Sequence, residues 1–319
     1  MSNKIPIAGD QILRVGPVNP AVAHVLDDEF NARVLPLAEQ RQKFLNEVGD
    51  QIRIAVCSGK IGVDSELMQA LPNLEAIINF GVGYDATDVA QAQERGIPMS
   101  NTPDVLTDCV ADTALGLYLN TLRRLSDAER FVRAGSWAAG ENFKLTTRAS
   151  GRKVGILGLG RIGQAIASRL LGFGCEIHYH SRAPKNSSGF AYHASAVELA
   201  EATDVLIVAA AGGPETAGLV DAEVLKAVGP DGFIINIARG SVIDEPALIK
   251  ALQRGVIAGA GLDVFAHEPH IPAGLLELDN VVLLPHLGSG TVETRADMAS
   301  LTLANLRSYL ADRTLVTPI

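Results

Sequence analysis

Short apolar runs rich in valine and isoleucine alternate along the chain with stretches whose apolar residues recur every three or four positions. Such alternation is typical of buried parallel strands joined by helices that cross over the sheet. The pattern therefore predicts an α/β protein with two doubly wound parallel sheets. The first series of predicted strands lies at 12–15, 34–37, 52–57, 74–80 and 97–100. The second series lies at 153–157, 176–180, 204–209, 233–237, 259–264 and 281–284.

The predicted helices between these strands include 64–71 and 87–95, which are polar on one face. Apolar spacing over 107–132 predicts one long helix that connects the two series. A polar stretch follows and contains the only tryptophan, Trp137. The last predicted helix covers 291–311.

Composition narrows the class of protein. A chain of 319 residues with 47% hydrophobic and 20% charged residues has an ordinary globular composition and the length of about two domains. The 27 Lys and Arg stand against 36 Asp and Glu, which gives a net charge of -9. This negative charge disfavours nucleic acid and anionic lipid as partners.

The cysteines and the N-terminus point to the cell interior. Cys57, Cys109 and Cys175 are widely separated, so neither a disulfide framework nor a metal site is expected, and small buried hydrophobic roles are the simpler interpretation. The N-terminus lacks a basic stretch followed by an apolar run. No apolar stretch reaches the roughly 20 residues that span a bilayer. We therefore expect a cytoplasmic protein that binds no membrane and no metal.

A glycine motif follows the predicted strand at 153–157. Gly158, Gly160 and Gly163 have the spacing G-x-G-x-x-G and open a helical run. In dinucleotide-binding proteins the first glycine makes a tight turn, the second lets the backbone approach a pyrophosphate, and the third allows close helix packing. Glycines in unrelated turns are the alternative, but the position between strand and helix favours a nucleotide site. The intervening residues complete the candidate loop: Leu159, Arg161 and Ile162.

The next predicted strand ends where an NAD-selective site has an Asp or Glu for the ribose 2′-hydroxyl. This chain has Ser181 and Arg182 there, with Lys185 nearby. This position therefore has no carboxylate that would repel a 2′-phosphate, and the guanidinium of Arg182 offers hydrogen-bond donors to such a phosphate. The sequence therefore predicts NADPH in preference to NADH. The alternative is an exposed loop arginine that pairs with nothing.

Three polar residues follow successive strands of the second series, where open α/β sheets bind their ligands. They are Arg239, Glu268 and His286. Hydride transfer to a 2-oxo acid needs a cation that polarises the substrate and a proton donor for its carbonyl oxygen. Arg239 suits the first role and His286 the second. A carboxylate such as Glu268 would orient the imidazole and favour its protonated form.

Each of these residues also has an ordinary interpretation. Arg239 suits a structural ion pair, Glu268 a solvated turn beside a proline, and His286 a cap for the last helix. Their occurrence at successive strand ends, after a nucleotide motif, favours a catalytic site over these separate roles.

With these motifs the chain resembles the D-isomer-specific 2-hydroxyacid dehydrogenase family over nearly its whole length. Besides the glycine motif, the resemblance rests on NFGVGYD at 79–85, NIARG at 236–240, GLDVF with Glu268-Pro269, and PHLGS at 285–289. Within the family, Ser181-Arg182 and residues 288–295 are similar to NADPH-preferring glyoxylate/hydroxypyruvate reductases and hydroxyphenylpyruvate reductases. Residues 209–216 depart from the family pattern, so no contact with the adenosine is assigned there.

The resemblance implies a Rossmann-type nucleotide domain, residues 103–286, inserted into a flavodoxin-like substrate domain, residues 1–102 plus 287–319. The active site would lie in the cleft between them. The implied reaction is the reduction of small 2-oxo acids, among them glyoxylate, hydroxypyruvate and hydroxyphenylpyruvate, to D-2-hydroxy acids. A homodimer is also implied, in which Trp137 either enters the partner's substrate pocket or packs at the interface.

By position, the resemblance assigns roles to the site residues. Arg239 binds the substrate carboxylate and carbonyl, His286 is the acid/base, and Glu268 is its partner. The N–H groups of Val82 and Gly83 hold the carboxylate, and a plain strand-to-helix turn is the alternative for that segment. The remaining cofactor contacts are Ile237, Ala238, Asp263 and Gly288, of which Asp263 would lie beside the nicotinamide. Ser289 is the remaining substrate contact.

A competing function is a dinucleotide-sensing binding module, or a corepressor-like protein without significant turnover. Such a protein needs the cofactor site but no acid/base residues. The ordered presence of Arg239, Glu268 and His286 favours the NADP-dependent reductase.

Replacing Arg182 with Asp tests the cofactor prediction. The substitution removes the guanidinium donors for a 2′-phosphate and introduces a carboxylate that repels it. We therefore expect NADPH binding to weaken far more than NADH binding. The KM values for the two cofactors measure this. Equal losses for both would refute the assignment.

Overall fold

The computed structural model describes residues 6–185 and 189–319. Within these ranges the chain forms parallel strands, most of which lie close to the predicted positions. The strands are β1 (Ile12–Val15), β2 (Arg33–Val34), β3 (Ile54–Ser58), β4 (Ala76–Phe80), β5 (Met99–Ser100), β6 (Lys153–Leu157), β7 (Glu176–His180), β8 (Ala191–Tyr192), β9 (Val205–Val208), β10 (Phe233–Asn236), β11 (Gly259–Leu262) and β12 (Val281–Leu283).

Helices connect most of these strands, as expected for crossover connections. They are α1 (Pro20–Asp28), α2 (Ala38–Val48), α3 (Ser65–Gln69), α4 (Val89–Glu94), α5 (Thr107–Arg123), α6 (Leu125–Arg133), α7 (Arg161–Leu171), α8 (Ala196–Glu201), α9 (Ala222–Val228), α10 (Glu245–Gln253), α11 (Ala273–Leu276) and α12 (Val292–Asp312).

The chain divides into two compact units. The first consists of Met1–Leu106 and Thr291–Ile319, and the second of Thr107–Gly290. The sequence prediction placed the corresponding boundaries after residues 102 and 286.

The first unit contains a parallel sheet with the strand order β2-β1-β3-β4-β5. This is the flavodoxin-like order. The strands β3 and β4 are buried along nearly their whole length, which explains why they are apolar without alternation. The helix α12 packs against β4 and α1 of this unit.

The second unit contains a parallel sheet with the order β12-β11-β10-β9-β6-β7-β8. Counted from β6, this is the Rossmann order with one further strand at the β12 edge. The order reverses between β6 and β9, where the register pairs Leu157 with Val208. Because the strands are parallel, the carboxyl ends of β6, β7, β10, β11 and β12 lie along one edge of the sheet. The prediction of an α/β fold with two parallel sheets is confirmed.

The prediction of one long connecting helix over 107–132 is wrong, because this stretch forms two helices, α5 and α6. The break lies at Arg124, whose φ of 50° and ψ of 44° lie in the left-handed region. The Asn120 side chain accepts the N–H of Ser126 at 2.8 Å, which satisfies a donor at the start of α6. Apolar spacing continues across the break, so periodicity alone could not reveal it.

Two edge strands also differ from the prediction. The strand expected at 34–37 is limited to β2, because it pairs only with β1 and Pro36 has no N–H to donate. The short strand β8 lies at an edge of the second unit's sheet and was not predicted, because its two residues are too few to form a recognisable apolar run.

Among the described residues, no helix combines the length and the apolar character needed to cross a bilayer. The same part of the chain contains no group of three or more His, Cys, Asp or Glu arranged to hold a metal ion.

Candidate active site

The glycine motif forms the turn between β6 and α7. Gly158 has a φ of 101°, and a Cβ there would lie 2.6 Å from the backbone of Ala210. A Cβ at Gly163 would lie 2.2 Å from the carbonyl oxygen of Gly158. The first glycine is therefore required by the turn and the third by helix packing, as the motif predicts.

Gly160 is a different case. An added Cβ there would meet no atom of the described residues within 4 Å. The protein's own packing therefore does not require glycine at this position. Gly160 is also the N-cap of α7 and contributes no side-chain acceptor to the first turn. An exposed backbone at an uncapped helix start fits the close approach of a pyrophosphate.

The loop after β7 carries the candidate 2′-phosphate residues. The hydroxyl of Ser181 donates to the carbonyl oxygen of Ala183 at 2.7 Å. The ammonium of Lys185 donates to the carbonyl oxygen of Leu159 at 2.5 Å, so a positive charge lies against the glycine turn. Arg182 is exposed, and among the described residues no acidic side chain pairs with its guanidinium. The loop therefore presents cations and no carboxylate.

The turn after β10 is held by a buried asparagine. The Asn236 amide donates to the carbonyl oxygen of Arg239 at 2.9 Å and accepts the N–H of Ala238 at 3.0 Å. A Cβ at Gly240 would lie 1.9 Å from the carbonyl carbon of Phe265. The backbone beside Arg239 therefore rests directly on the segment that follows β11.

That segment carries Glu268, the partner of the histidine. The His286 Nδ1 lies 2.8 Å from Oε2 of Glu268 and 3.0 Å from Oε1. A carboxylate accepts hydrogen bonds, so Nδ1 bears a proton and donates. Both side chains are about one-quarter or less exposed. The pairing leaves Nε2 of His286 as the ring nitrogen available to a substrate.

Glu268 is itself positioned by backbone contacts. Its Oε1 accepts the N–H of Phe265 at 3.3 Å. The neighbouring N–H of Ala266 donates to the buried carboxylate of Glu245 at 3.2 Å. These contacts fix the loop from which Glu268 reaches the imidazole.

Asp263 holds the turn that contains His286. Its carboxylate accepts the N–H of Leu287 at 2.5 Å on one oxygen and the N–H of Gly288 at 2.8 Å on the other. Its backbone carbonyl accepts the N–H of His286 at 2.9 Å. Asp263 is 1% exposed. Burial raises the pKa of its carboxyl group, while these N–H groups and the nearby imidazole oppose the shift.

This turn is conformationally strained. His286 has a φ of 55°, in the left-handed region that disfavours side chains by roughly 1–2 kcal/mol. The bonds to Asp263 offset that cost and keep the imidazole beside Glu268. The sequence prediction placed Asp263 beside the nicotinamide. The structure shows a further role for it within the protein.

The remaining predicted contacts occupy defined positions. Ile237 and Ala238 are 7% and 9% exposed, and Ser289 is half-buried after the histidine turn. Val82 and Gly83 belong to the first unit and follow the end of β4. Their N–H groups meet no acceptor among the described residues.

Sequence reasoning assigned no role to several residues that shape these turns. Asn79, Asn236 and Glu245 are all buried and polar. The first two follow apolar residues near the ends of strands, and a buried polar group must be hydrogen-bonded. Asparagine at the end of an apolar run is therefore the signal that could have identified them. Glu245 lies at the start of a helix, where an acidic residue is common for other reasons.

Comparison with known proteins decides the family. Residues 115–288 match the model of the D-isomer specific 2-hydroxyacid dehydrogenase, NAD binding domain. The chain belongs to this family. The resemblance inferred from the sequence is confirmed, and the dehydrogenase fold accounts for both parallel sheets.

Three relatives of this dehydrogenase cover nearly its whole length. Hydroxyphenylpyruvate reductase from Plectranthus scutellarioides is 46% identical, over 97% of this chain and 98% of the relative. Glyoxylate/hydroxypyruvate reductase A from Arabidopsis thaliana is 45% identical, with the same coverage. The structure of an NADPH-dependent glyoxylate/hydroxypyruvate reductase from Sinorhizobium meliloti, in complex with NADP and malonate, is 46% identical. It superposes with a TM-score of 0.88 over 97% of this chain and 96% of that chain.

Replacing His286 with Ala tests the acid/base assignment. We expect kcat for reduction to fall on the order of 100-fold or more, the scale of a lost general acid, while the KM for the cofactor stays nearly unchanged. His24→Ala is the control, because His24 is an exposed histidine on α1. A His286→Ala variant as fast as the parent would remove this residue from the mechanism.

Replacing Asp263 with Asn tests the support of the histidine turn. The two N–H groups contact different carboxylate oxygens, and an amide offers only one acceptor. We expect the free energy of unfolding to fall by about 1–3 kcal/mol and kcat to fall with it. Asp221→Asn is the matched control, because one oxygen of Asp221 accepts both N–H groups at the start of α9. Equal, small effects of the two substitutions would show that Asp263 is dispensable for the turn.

Proposed function

We propose that this dehydrogenase reduces small 2-oxo acids to D-2-hydroxy acids and prefers NADPH. The observation that carries the proposal is the Glu268–His286 pair, with Nδ1 bound at 2.8 Å and Nε2 left for a substrate. A proton donor in this arrangement serves a carbonyl oxygen that gains negative charge. NADPH, when bound, supplies the hydride to carbon 2 of the substrate.

The other residues prepare the substrate for that transfer. Arg239 binds the substrate carboxylate and polarises the carbonyl, because its guanidinium provides a forked pair of donors. His286 gives its Nε2 proton to the carbonyl oxygen, and Glu268 stabilises the imidazolium form until then. The N–H groups of Val82 and Gly83 provide further donors for the carboxylate. Ser289 is a further substrate contact.

The cofactor residues follow from the same strand ends. The glycine turn, with Leu159, Arg161 and Ile162, holds the pyrophosphate at the start of α7. Ile237, Ala238, Asp263 and Gly288 line the nicotinamide side. Ser181 and Arg182 hold the 2′-phosphate, and the ammonium of Lys185 beside the glycine turn adds positive charge. The description of the Sinorhizobium meliloti relative as NADPH-dependent supports this preference.

The names of the relatives supply the candidate substrates, namely glyoxylate, hydroxypyruvate and hydroxyphenylpyruvate. A dinucleotide-sensing binding module is disfavoured, because it needs no Glu268–His286 pair. A cytoplasmic location remains a prediction from the sequence.

We also propose a homodimer. Large apolar side chains are exposed along the segment from α6 onward, which soluble monomers usually avoid in groups. Trp137 is 69% exposed and Leu145 is 100% exposed. Leu125 and Val132 are each about half exposed. Trp137 then either enters the partner's substrate pocket or packs at the interface.

A steady-state panel tests catalysis, cofactor choice and substrate size together. Glyoxylate, hydroxypyruvate and hydroxyphenylpyruvate are measured with NADPH and with NADH by absorbance of the reduced cofactor. We expect turnover of at least one acid, with a higher kcat/KM for NADPH. Turnover of none would favour the binding module.

The same panel on Trp137→Ala distinguishes the two roles of the tryptophan. A changed ranking of the three acids supports a place in the pocket, because the largest substrate depends most on pocket walls. An unchanged ranking, with more monomer in sedimentation, supports interface packing alone.

A further inference from the structure

The carbonyl groups of the loop at residues 81–83 accept hydrogen bonds from asparagine side chains. The Asn79 amide donates to the carbonyl oxygens of Gly81 and Gly83, each at 3.0 Å. The Asn101 amide donates to the carbonyl oxygen of Val82 at 2.9 Å. Two asparagine side chains thus contact the three successive carbonyls of the loop, and the backbone N–H of Thr102 also donates to the carbonyl oxygen of Gly81, at 3.0 Å.

This arrangement determines where the N–H groups point. In a trans peptide the C=O and the N–H of the same unit point in opposite directions. The carbonyl of Gly81 belongs to the same peptide unit as the N–H of Val82, and the carbonyl of Val82 to that of Gly83. The N–H of Val82 therefore faces away from Asn79, and the N–H of Gly83 faces away from Asn101. Neither N–H has an acceptor among the described residues.

The Asn79 amide is held in one orientation. Asn79 is 1% exposed, and its Oδ1 lies 3.6 Å from the thiol of Cys57. Burial raises the pKa of Cys57 to about 12, opposed by a hydrogen bond with Thr87, so the thiol keeps its proton and can donate. The amide oxygen is therefore occupied by a donor, and both amide hydrogens serve the loop carbonyls.

A second strand end supports the same loop. A Cβ at Gly59 would lie 2.3 Å from the carbonyl oxygen of Gly83. The N–H of Gly59 donates to the carbonyl oxygen of Phe80 at 3.1 Å. The loop thus rests on bare backbone after β3 and leaves little room for its carbonyls to rotate.

We propose that Asn79 and Asn101 are positioning residues, which hold the N–H groups of Val82 and Gly83 ready to bind the carboxylate of a 2-oxo acid. This inference rests on the proposed function for the identity of the acid. The two asparagines act through the backbone and do not touch the substrate. Prealigned N–H donors bind an anion more tightly, because no ordering cost arises on binding.

Asn79→Asp is the decisive variant. It keeps the size of the side chain but sets carboxylate oxygens against two carbonyl oxygens, so these groups repel one another and displace the loop. We expect KM for the 2-oxo acid to rise at least about tenfold, the loss expected when hydrogen bonds to a charged group are misaligned. We expect kcat to fall less than KM rises, and the KM for NADPH to stay within about twofold.

Two further variants serve as a second test and as a control. Asn101→Ala removes only the bond to the Val82 carbonyl, so it shifts the same KM in the same direction by a smaller factor. It also keeps the test open if Asn79→Asp does not fold. Asn280→Asp is the matched control, because the Asn280 amide also donates to two backbone carbonyls but lies after α11 in the second unit. It should leave KM for the acid unchanged.

Calorimetry with oxamate separates this proposal from the reaction itself. Oxamate carries the carboxylate of a 2-oxo acid but accepts no hydride, and its binding is measured with NADP present. Binding that weakens at least about tenfold in Asn79→Asp supports the positioning role, even if the parent turns over no 2-oxo acid. A parent that binds no oxamate, or variants that bind it as tightly as the parent, would overturn it. Turnover by the parent with unchanged KM in both asparagine variants would overturn this inference alone and leave the proposed function standing.

Discussion

The carboxylate of Asp263 is the group on which the turn that contains His286 depends. It is buried at the end of β11 and binds the N–H groups of the two residues that follow His286, while its carbonyl binds the N–H of His286. A histidine with a φ of 55° does not hold that conformation by its own preference. The raised pKa of Asp263 reflects the desolvation of its carboxyl group, which the N–H groups of the turn partly compensate.

The same physical device recurs at the other turns that flank the sheets. Asn236 holds the turn of Arg239 with one donor and one acceptor, and Asn79 holds the loop of Val82 and Gly83 through its amide. In each case a buried polar side chain at a strand end satisfies backbone groups that the strand no longer pairs. The candidate site residues lie on loops, but hydrogen bonds from buried side chains at the strand ends hold these loops in place. The geometry of these candidate site loops is therefore set by buried side chains at the strand ends.

Glycines serve two distinct purposes in this chain. Gly158 and Gly163 are required by the protein itself, because a side chain at either would collide with backbone. Gly160 has open space around it, so the protein's own packing does not require its lack of a side chain. The same distinction applies to Gly240 and Gly59, which allow one backbone segment to rest on another. The motif spacing shows where such glycines occur, whereas the structure shows what each of them accommodates.

The sequence by itself determined the fold class, most strand positions, the nucleotide motif and the three candidate catalytic residues. These features are encoded locally, because burial makes strands apolar and the chemistry of His286, Glu268 and Arg239 is visible in their residue types. Only the tertiary structure decided the 2.8 Å contact between His286 and Glu268, the break at Arg124 and the bonds from Asp263 to a turn more than twenty residues away. These depend on which strands lie side by side and where the backbone turns, and no local pattern of residues records that.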